Sequence, residues 1–432
     1  MKMTRRYFLQ ASGLAAAYCG FAPHLSLGHA ALPENQIAPV TRKKTLVTIF
    51  LRGGMDGLNF IVPFGDPNYY ALRGTIAVPQ PGTSGGGLKT GSALDLDGFF
   101  GLHPSASSLM PLFKSGKAAA LQAVGYDRNT RSHFEEQDTW ETGMIGNTIA
   151  SDGWLNRHLV TSKGNGIIRA VALGDTLPRI LRGQASAFAV RGITDLAMPG
   201  GLPPEAQKVM GAALEHAYKV DPKSAQPHAR QLLADSATTT MEGIEQIKKV
   251  TQREYKPAAV YPKSKLGKQL EDVARLIKAD IGLEVAEIDY GGWDTHQNEL
   301  ASYGNLVQGL AEAVAAFCQD LENHLDDVLL LTLSDFGRTA AENGTGGTDH
   351  GWANCMLAIG GPARKATGGS LKPVLGKWPT LAREKLYEKR DLAHTTDFRD
   401  VLGEVVSVHL GNNNLKSVLP GHTFKPVGLV AA

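Results

Sequence analysis

The sequence predicts an α/β protein, a doubly wound and mostly parallel sheet sandwiched by helices. Three observations predict it. Apolar segments at Thr45–Leu51, Ala118–Val124, Ile167–Leu173, Leu283–Ile288, Val328–Leu333 and Asn354–Ile359 include several continuous runs, as strands buried on both faces require. Helical patterns fall between them, at Glu205–Tyr218, Ala229–Lys249, Lys265–Ala279, Glu299–His324 and Asp397–His409. Polar residues collect just after the strands, where an open α/β sheet binds its ligands.

Taken in order, the first strand runs into Arg52-Gly53-Gly54-Met55-Asp56-Gly57, a carboxylate between glycines that let backbone approach a ligand. The Gly/Pro/Ser-rich stretch Pro79–Gly91 reads as a surface loop. The strand at Ala118–Val124 leads to Thr130-Arg131-Ser132-His133-Phe134. Residues 183–262 carry long helical patterns and few buried-strand signals, and form a candidate helical cap. The strand at Leu283–Ile288 leads to Trp293-Asp294-Thr295-His296, and Val328–Leu333 ends in Ser334-Asp335-Phe336-Gly337-Arg338. Thr348-Asp349-His350-Gly351 precedes the strand at Asn354–Ile359. All these clusters fall where one sheet edge is expected. Asp294 and His296 are two residues apart and point to the same side of an extended chain, which suits two ligands to one cation. Asp and His mixtures fit Zn, Mn, Mg or Ca.

Composition sets the outer limits. The 432 residues carry 44 Lys+Arg against 42 Asp+Glu, so the strong basic excess of an electrostatic nucleic-acid binder is absent. Hydrophobic residues at 43% and charged residues at 20% are ordinary for a globular chain and exclude a fibrous or disordered one. With 3 Cys the chain is not a disulfide scaffold, and Cys318 and Cys355 read as buried thiols.

Residues 1–30 read as an address. Thr4-Arg5-Arg6-Tyr7-Phe8-Leu9 followed by an apolar stretch and Gly28-His29-Ala30 resembles a twin-arginine export signal. Cleavage after Ala30 would remove Lys2, Arg5 and Arg6, and so move the net charge from +2 to −1. The expected partner is the twin-arginine export machinery, and the expected location is the periplasm or the extracellular space. No run in the mature chain is apolar for long enough to span a bilayer.

The segments Ile49–Gly54, Arg131–Phe134, Ser334–Thr339 and Gly347–Gly351 resemble the DUF1501 family, which is similar to the alkaline phosphatase/sulfatase superfamily. The resemblance covers nearly all of the mature chain. It implies an alkaline phosphatase-like domain over residues 31–432, one or two divalent metal ions, and hydrolysis of phosphate or sulfate esters. Position by position, it implies metal ligands at Asp56, Asp294, His296, Asp335, Asp349 and His350, with His394 a second candidate for the late histidine. Ser132, or Thr130 beside it, takes the place of the nucleophile. His133 is a candidate acid or base, and Arg338, with Arg52 and Arg131, a candidate clamp for the anionic group. Phe336 departs from the pattern, because it stands where the superfamily has a metal ligand. The substrate expected is a small-molecule or envelope-polymer ester. The alternative is a non-catalytic envelope binding or assembly protein that keeps the scaffold.

Overall fold

The computed structural model describes residues 44–430 except 84–90, 129, 147–150, 165, 195–226, 362 and 364–371. The leader and the helical pattern at Glu205–Tyr218 lie outside the described residues. The strands in chain order are β1 (Thr45–Arg52), β2 (Ile61–Val62), β3 (Leu94–Asp95), β4 (Gly101–Leu102), β5 (Ala118–Gly125), β6 (Ala170–Leu173), β7 (Phe188–Val190), β8 (Val285–Gly291), β9 (Val328–Ser334), β10 (Asn354–Gly360), β11 (Val374–Leu375) and β12 (Thr396–Asp397).

Nine of them form the main sheet in the order β11-β5-β10-β9-β1-β8-β6-β7, with β12 also on β5, while β2, β4 and β3 make a small separate sheet. β1 lies between β8 and β9 and is parallel to both, with Leu51 opposite Tyr290 on one side and Ser334 on the other. β10 runs antiparallel to β9 and β5. The sheet is therefore mostly parallel, as expected, and among its described strands β10 alone is reversed.

Both faces of the sheet are covered, which is why its strands read as continuous apolar runs. Val47, Ile49 and Leu51 of β1 pack on one face with Leu270, Val273, Leu310 and Phe317, from the helices Lys265–Lys278 and Glu299–Leu321. Leu46 and Phe50 turn to the other face and meet Trp140, Trp154, Phe398 and Val401. Successive strand residues point to opposite faces, so one eight-residue strand feeds two cores.

Several boundaries differ from expectation. The strand read at Ile167–Leu173 begins at Ala170. The helix read to His324 ends at Leu321 and continues as a 3₁₀ segment, Glu322–Asp327. The pattern at Asp397–His409 divides into an α-helix, Phe398–Glu404, and a π-helical turn, Val405–His409. Within 183–262, β7 joins the main sheet beside β6, and Ile247 and Val250 of the helix Pro227–Gln252 sit in the core with Leu266 and Leu270. The described parts of that stretch are thus built into the layered body. Cys318 and Cys355 are buried free thiols. Among the described residues no helix is long and apolar enough to cross a membrane.

The carboxyl ends of β1, β5, β8 and β9 share an edge with the start of the reversed β10. β1 sits in the middle of this edge between β8 and β9, and an open α/β sheet binds its ligands beyond the carboxyl ends of its strands.

Candidate metal centre

Four loops at this edge supply the polar residues. His133 opens the helix His133–Thr142 after β5. Asp294 and His296 follow β8, Asp335 follows β9, and Asp349 and His350 end the loop before β10. Gly53 has φ of +116°, and a side chain there would meet the backbone N of Asp294 at 2.7 Å, so glycine lets the β1 and β8 loops touch.

Each of the three histidines is held by its Nδ1. His133 Nδ1 lies 2.5 Å from Asp335 Oδ2, His296 Nδ1 lies 3.0 Å from Asp349 Oδ1, and His350 Nδ1 lies 2.9 Å from the carbonyl oxygen of Arg131. A carbonyl and a carboxylate accept, so in each neutral ring Nδ1 carries the proton and Nε2 carries a lone pair. This outer layer of oxygens around imidazole is the arrangement that orients histidine ligands.

The Nε2 atoms converge on Asp294. His296 Nε2 is 3.0 Å and His350 Nε2 3.2 Å from Asp294 Oδ1, and His133 Nε2 is 3.6 Å from Asp294 Oδ2. His296 Nε2 and His350 Nε2 are only 3.0 Å apart. Two lone pairs at that distance repel unless a proton or a cation lies beside them. His133 Nε2 is buried without a hydrogen-bond partner among the described residues. Ligand atoms of His133, Asp294 and His350 all fall within 4.8 Å of one another. Two lone-pair nitrogens and a carboxylate within that span are a donor set that fits a divalent cation, and His296 Nε2 lies beside them.

Electrostatics around the set is uneven. The hydrogen bond to Asp335 raises the pKa of His133 against the opposing effect of burial. Burial, with the nearby charge of Arg338 and His133, lowers that of His350. Burial works against the Asp294 carboxylate, but Arg338 and the two histidines hold its pKa below the ordinary range. Phe336 is fully buried, with its ring 4.8 Å from that of His133 and 4.6 Å from that of His350. It ligates nothing and forms an apolar wall against both imidazoles, whose own ring centroids lie 4.4 Å apart.

Some residues expected at the site are committed elsewhere. Asp56 is wholly buried, and both of its oxygens bond to the guanidinium of Arg73, while Oδ1 also caps Leu58 N. Its charge is spent on that pair beneath the site. Asp335 and Asp349 stand one bond behind the histidines and orient them. Arg338 is also fully buried. It donates to the carbonyls of Gly53, Gly54, Trp293 and Thr348 and, at 2.6 Å, to Asp294 Oδ1. It pins loops together from a position with no exposed side-chain surface, so its guanidinium does not face a substrate. Arg52 pairs with Asp289 and Glu141, and Arg131 with Asp391 and Glu388. Thr130 bonds through its hydroxyl and amide to Glu136 and braces the loop. The Ser132 hydroxyl makes no hydrogen bond to these carboxylates among the described residues, and it is His133 that reaches them. His394 accepts from Trp352 Nε1 at 3.1 Å, apart from the cluster.

Residues that sequence reasoning passed over are supports. Gln137 donates to Asp335 Oδ2 at 2.9 Å, one helical turn beyond His133, and that i,i+4 spacing was visible. Asn343 donates to His296 O and Asp349 Oδ1, which no local pattern announces.

A family model described as "Protein of unknown function (DUF1501)" matches residues 43–406. The chain belongs to the DUF1501 family. No curated protein matches this DUF1501 chain. Among solved structures it is similar to a protein of the alkaline phosphatase superfamily from Vibrio parahaemolyticus, at 12% identity and a TM-score of 0.29, over 83% of this chain and 69% of that one. It is also similar to the PsFucS1 sulfatase from Pseudoalteromonas sp., at 12% identity and a TM-score of 0.30, over 75% of this chain and 64% of that one. A third is the PH0037 protein from Pyrococcus horikoshii, at 12% identity and a TM-score of 0.22, over 76% and 90%.

Proposed function

We propose that the chain is an exported, metal-dependent hydrolase-like protein acting on phosphate or sulfate esters in the cell envelope. The observation that carries the reading is the convergence of three lone-pair Nε2 atoms and the Asp294 carboxylate at the carboxyl edge of the sheet. His133, Asp294, His296 and His350 would hold a divalent ion, and the nitrogen-rich set favours zinc over magnesium or calcium. Such an ion supplies Lewis acidity, drawing electron density from an ester oxygen and acidifying water. The chain's own residues aim the site. Asp335, Asp349 and the Arg131 carbonyl keep the proton on each Nδ1 and turn Nε2 inward, and Phe336 excludes water from one wall. The side chains of Asp294 and His296 remain 46% and 43% exposed, which leaves a mouth for substrate. Export, and passage through the twin-arginine machinery, is proposed on the Thr4–Leu9 motif.

One observation favours a second reading, a binding or assembly protein without turnover. The guanidinium groups of Arg52, Arg131 and Arg338 are all engaged by protein partners, so none stands ready to clamp an anion. Elemental analysis of the exported form, beside Asp294→Ala, tests both readings. Stoichiometric metal in wild type and its loss in Asp294→Ala is expected, together with hydrolysis on a panel of phosphate and sulfate monoesters, with Ser132→Ala assayed in parallel. Metal without turnover on the whole panel selects the binding reading. A folded, metal-free protein under metal-replete conditions overturns the metal centre.

A further inference from the structure

Glu299 opens the long helix behind the site, three residues after His296, and is almost wholly buried. Its Oε2 accepts from the hydroxyl of Thr295 at 3.1 Å and from the hydroxyl of Thr348 at 3.0 Å. Thr295 stands between Asp294 and His296, and Thr348 stands two residues before His350. One oxygen atom therefore holds the two loops that carry three of the four candidate ligands. The loops also meet directly, since Thr348 N donates to Thr295 O at 3.1 Å. Gly347 is packed so closely that a side chain there would meet the carbonyl carbon of His296 at 2.5 Å. The other oxygen of Glu299 accepts from Asn59 Nδ2 at 2.9 Å, and Asn59 follows β1 on the short helix capped by Asp56.

Resting on the metal-centre reading above, we infer that Glu299 is the positioning residue of that centre: its carboxyl sets the distance from Asp294 and His296 to His350. The carboxyl makes no hydrogen bond to any of the four candidate ligands among the described residues, and its links to the ligand loops run through Thr295 and Thr348. A side chain one methylene shorter could not hold both hydroxyls and Asn59 at once. A merely stabilising residue would weaken the fold without changing what the bound metal experiences.

Cobalt(II) is the probe, because its visible absorption reports ligand number and geometry. The full chain is titrated with cobalt as wild type, Glu299→Ala, Glu299→Asp and Tyr303→Phe. Tyr303 donates to Asp56 O at 2.5 Å in the same buried region, and its ring packs edge-on against Trp293 at 5.6 Å; phenylalanine keeps that ring contact and removes only the hydroxyl, so it controls for lost stability. Glu299→Ala and Glu299→Asp are expected to bind cobalt roughly 10- to 100-fold more weakly, with an altered spectrum, the usual range for a disturbed outer shell. Tyr303→Phe is expected to match wild type in both affinity and spectrum. Should the Glu299 variants fail to fold, Thr348→Val removes only one of the two hydroxyls and is expected to shift the spectrum in the same direction. Wild-type affinity and spectrum in a folded Glu299 or Thr348 variant overturns the inference while leaving the metal centre standing. Failure of wild type itself to bind cobalt overturns the metal centre, and the role of Glu299 falls with it.

Discussion

At the scale of single residues, buried imidazoles divide by whether both nitrogens are used. His409 donates through Nε2 to the carbonyl of Thr45 at 2.9 Å, while its Nδ1 is buried without a partner among the described residues. Burial pushes its pKa down to about 4 from the ordinary 6.5. The folded state favours neutral His409, so the stability it contributes is present above pH 6.5 and is lost as pH falls toward 4. One proton taken up on unfolding is worth about 1.4 kcal/mol per pH unit. In His409→Gln the amide retains a donor for Thr45 and removes the titration. Urea denaturation at pH 7 and pH 5 should show wild type losing about 2 kcal/mol more than the variant over that interval. Parallel losses would mean that Nδ1 is satisfied by water. The same attention to both atoms of a group separates Asp56 from Asp294. Both are carboxylates in loops after a strand, and the sequence makes them look alike. Asp56 faces a guanidinium that arrives from the far end of the helix Pro67–Leu72, and no local pattern discloses that partner.

Among elements, the helix Pro67–Leu72 shows how one side chain can hold two segments. Asp66 caps it by accepting from Asn68 N at 3.0 Å. The other oxygen of Asp66 accepts from Leu381 N at 2.8 Å, Thr380 Oγ1 at 2.9 Å and Trp378 Nε1 at 3.0 Å. Burial opposes the charge, but these donors prevail and hold its pKa below the usual carboxylate value. Hydrogen bonds to a charged group are worth about 1.5–3 kcal/mol each, and removing the acceptor strands buried donors. Asp66→Ala is expected to cost about 3 kcal/mol or more in denaturant unfolding. It should also expose Lys377, Arg383 and Lys385 to limited trypsin digestion. A loss below about 0.5 kcal/mol would show that the loop is held by its packing alone. This is also the scale at which the sequence was most legible. The long strands and helices announced themselves because apolar runs and 3.6-residue spacing persist over several turns or residues. Two- and three-residue strands such as β7, β11 and β12 have no period to read, and they form only because a neighbouring strand offers free backbone groups. The end of the helix at Leu321 and the π-helical turn at Val405–His409 depend on tertiary packing that continues the apolar pattern past the helical hydrogen bonds.

For the whole molecule, the candidate centre joins parts of the chain that lie far apart in sequence. The residues after β5, after β8 and before β10 come together only because β1, β8 and β9 are adjacent and β10 reverses beside β9. The placement of these clusters at one sheet edge was readable, since each follows or precedes a strong strand. Their division into ligands and supports was not, because it depends on which imidazole nitrogen faces which oxygen. The topology makes metal binding a statement about global stability. An unfolded chain cannot bring His133, Asp294 and His350 together, so an ion that binds there binds the folded state almost exclusively. At free metal a thousandfold above Kd, the linkage amounts to about 4 kcal/mol. Removing metal with a chelator should therefore lower the Tm of the full chain, and returning it should restore the original value. Asp294→Ala should melt at a single temperature whether or not chelator is present. The decisive comparison is between these two proteins. An equal response of wild type and Asp294→Ala to chelation would place the ion elsewhere on the molecule. A metal-loaded wild type with an unchanged Tm would show that the ion sits on one loop and does not bridge the strands.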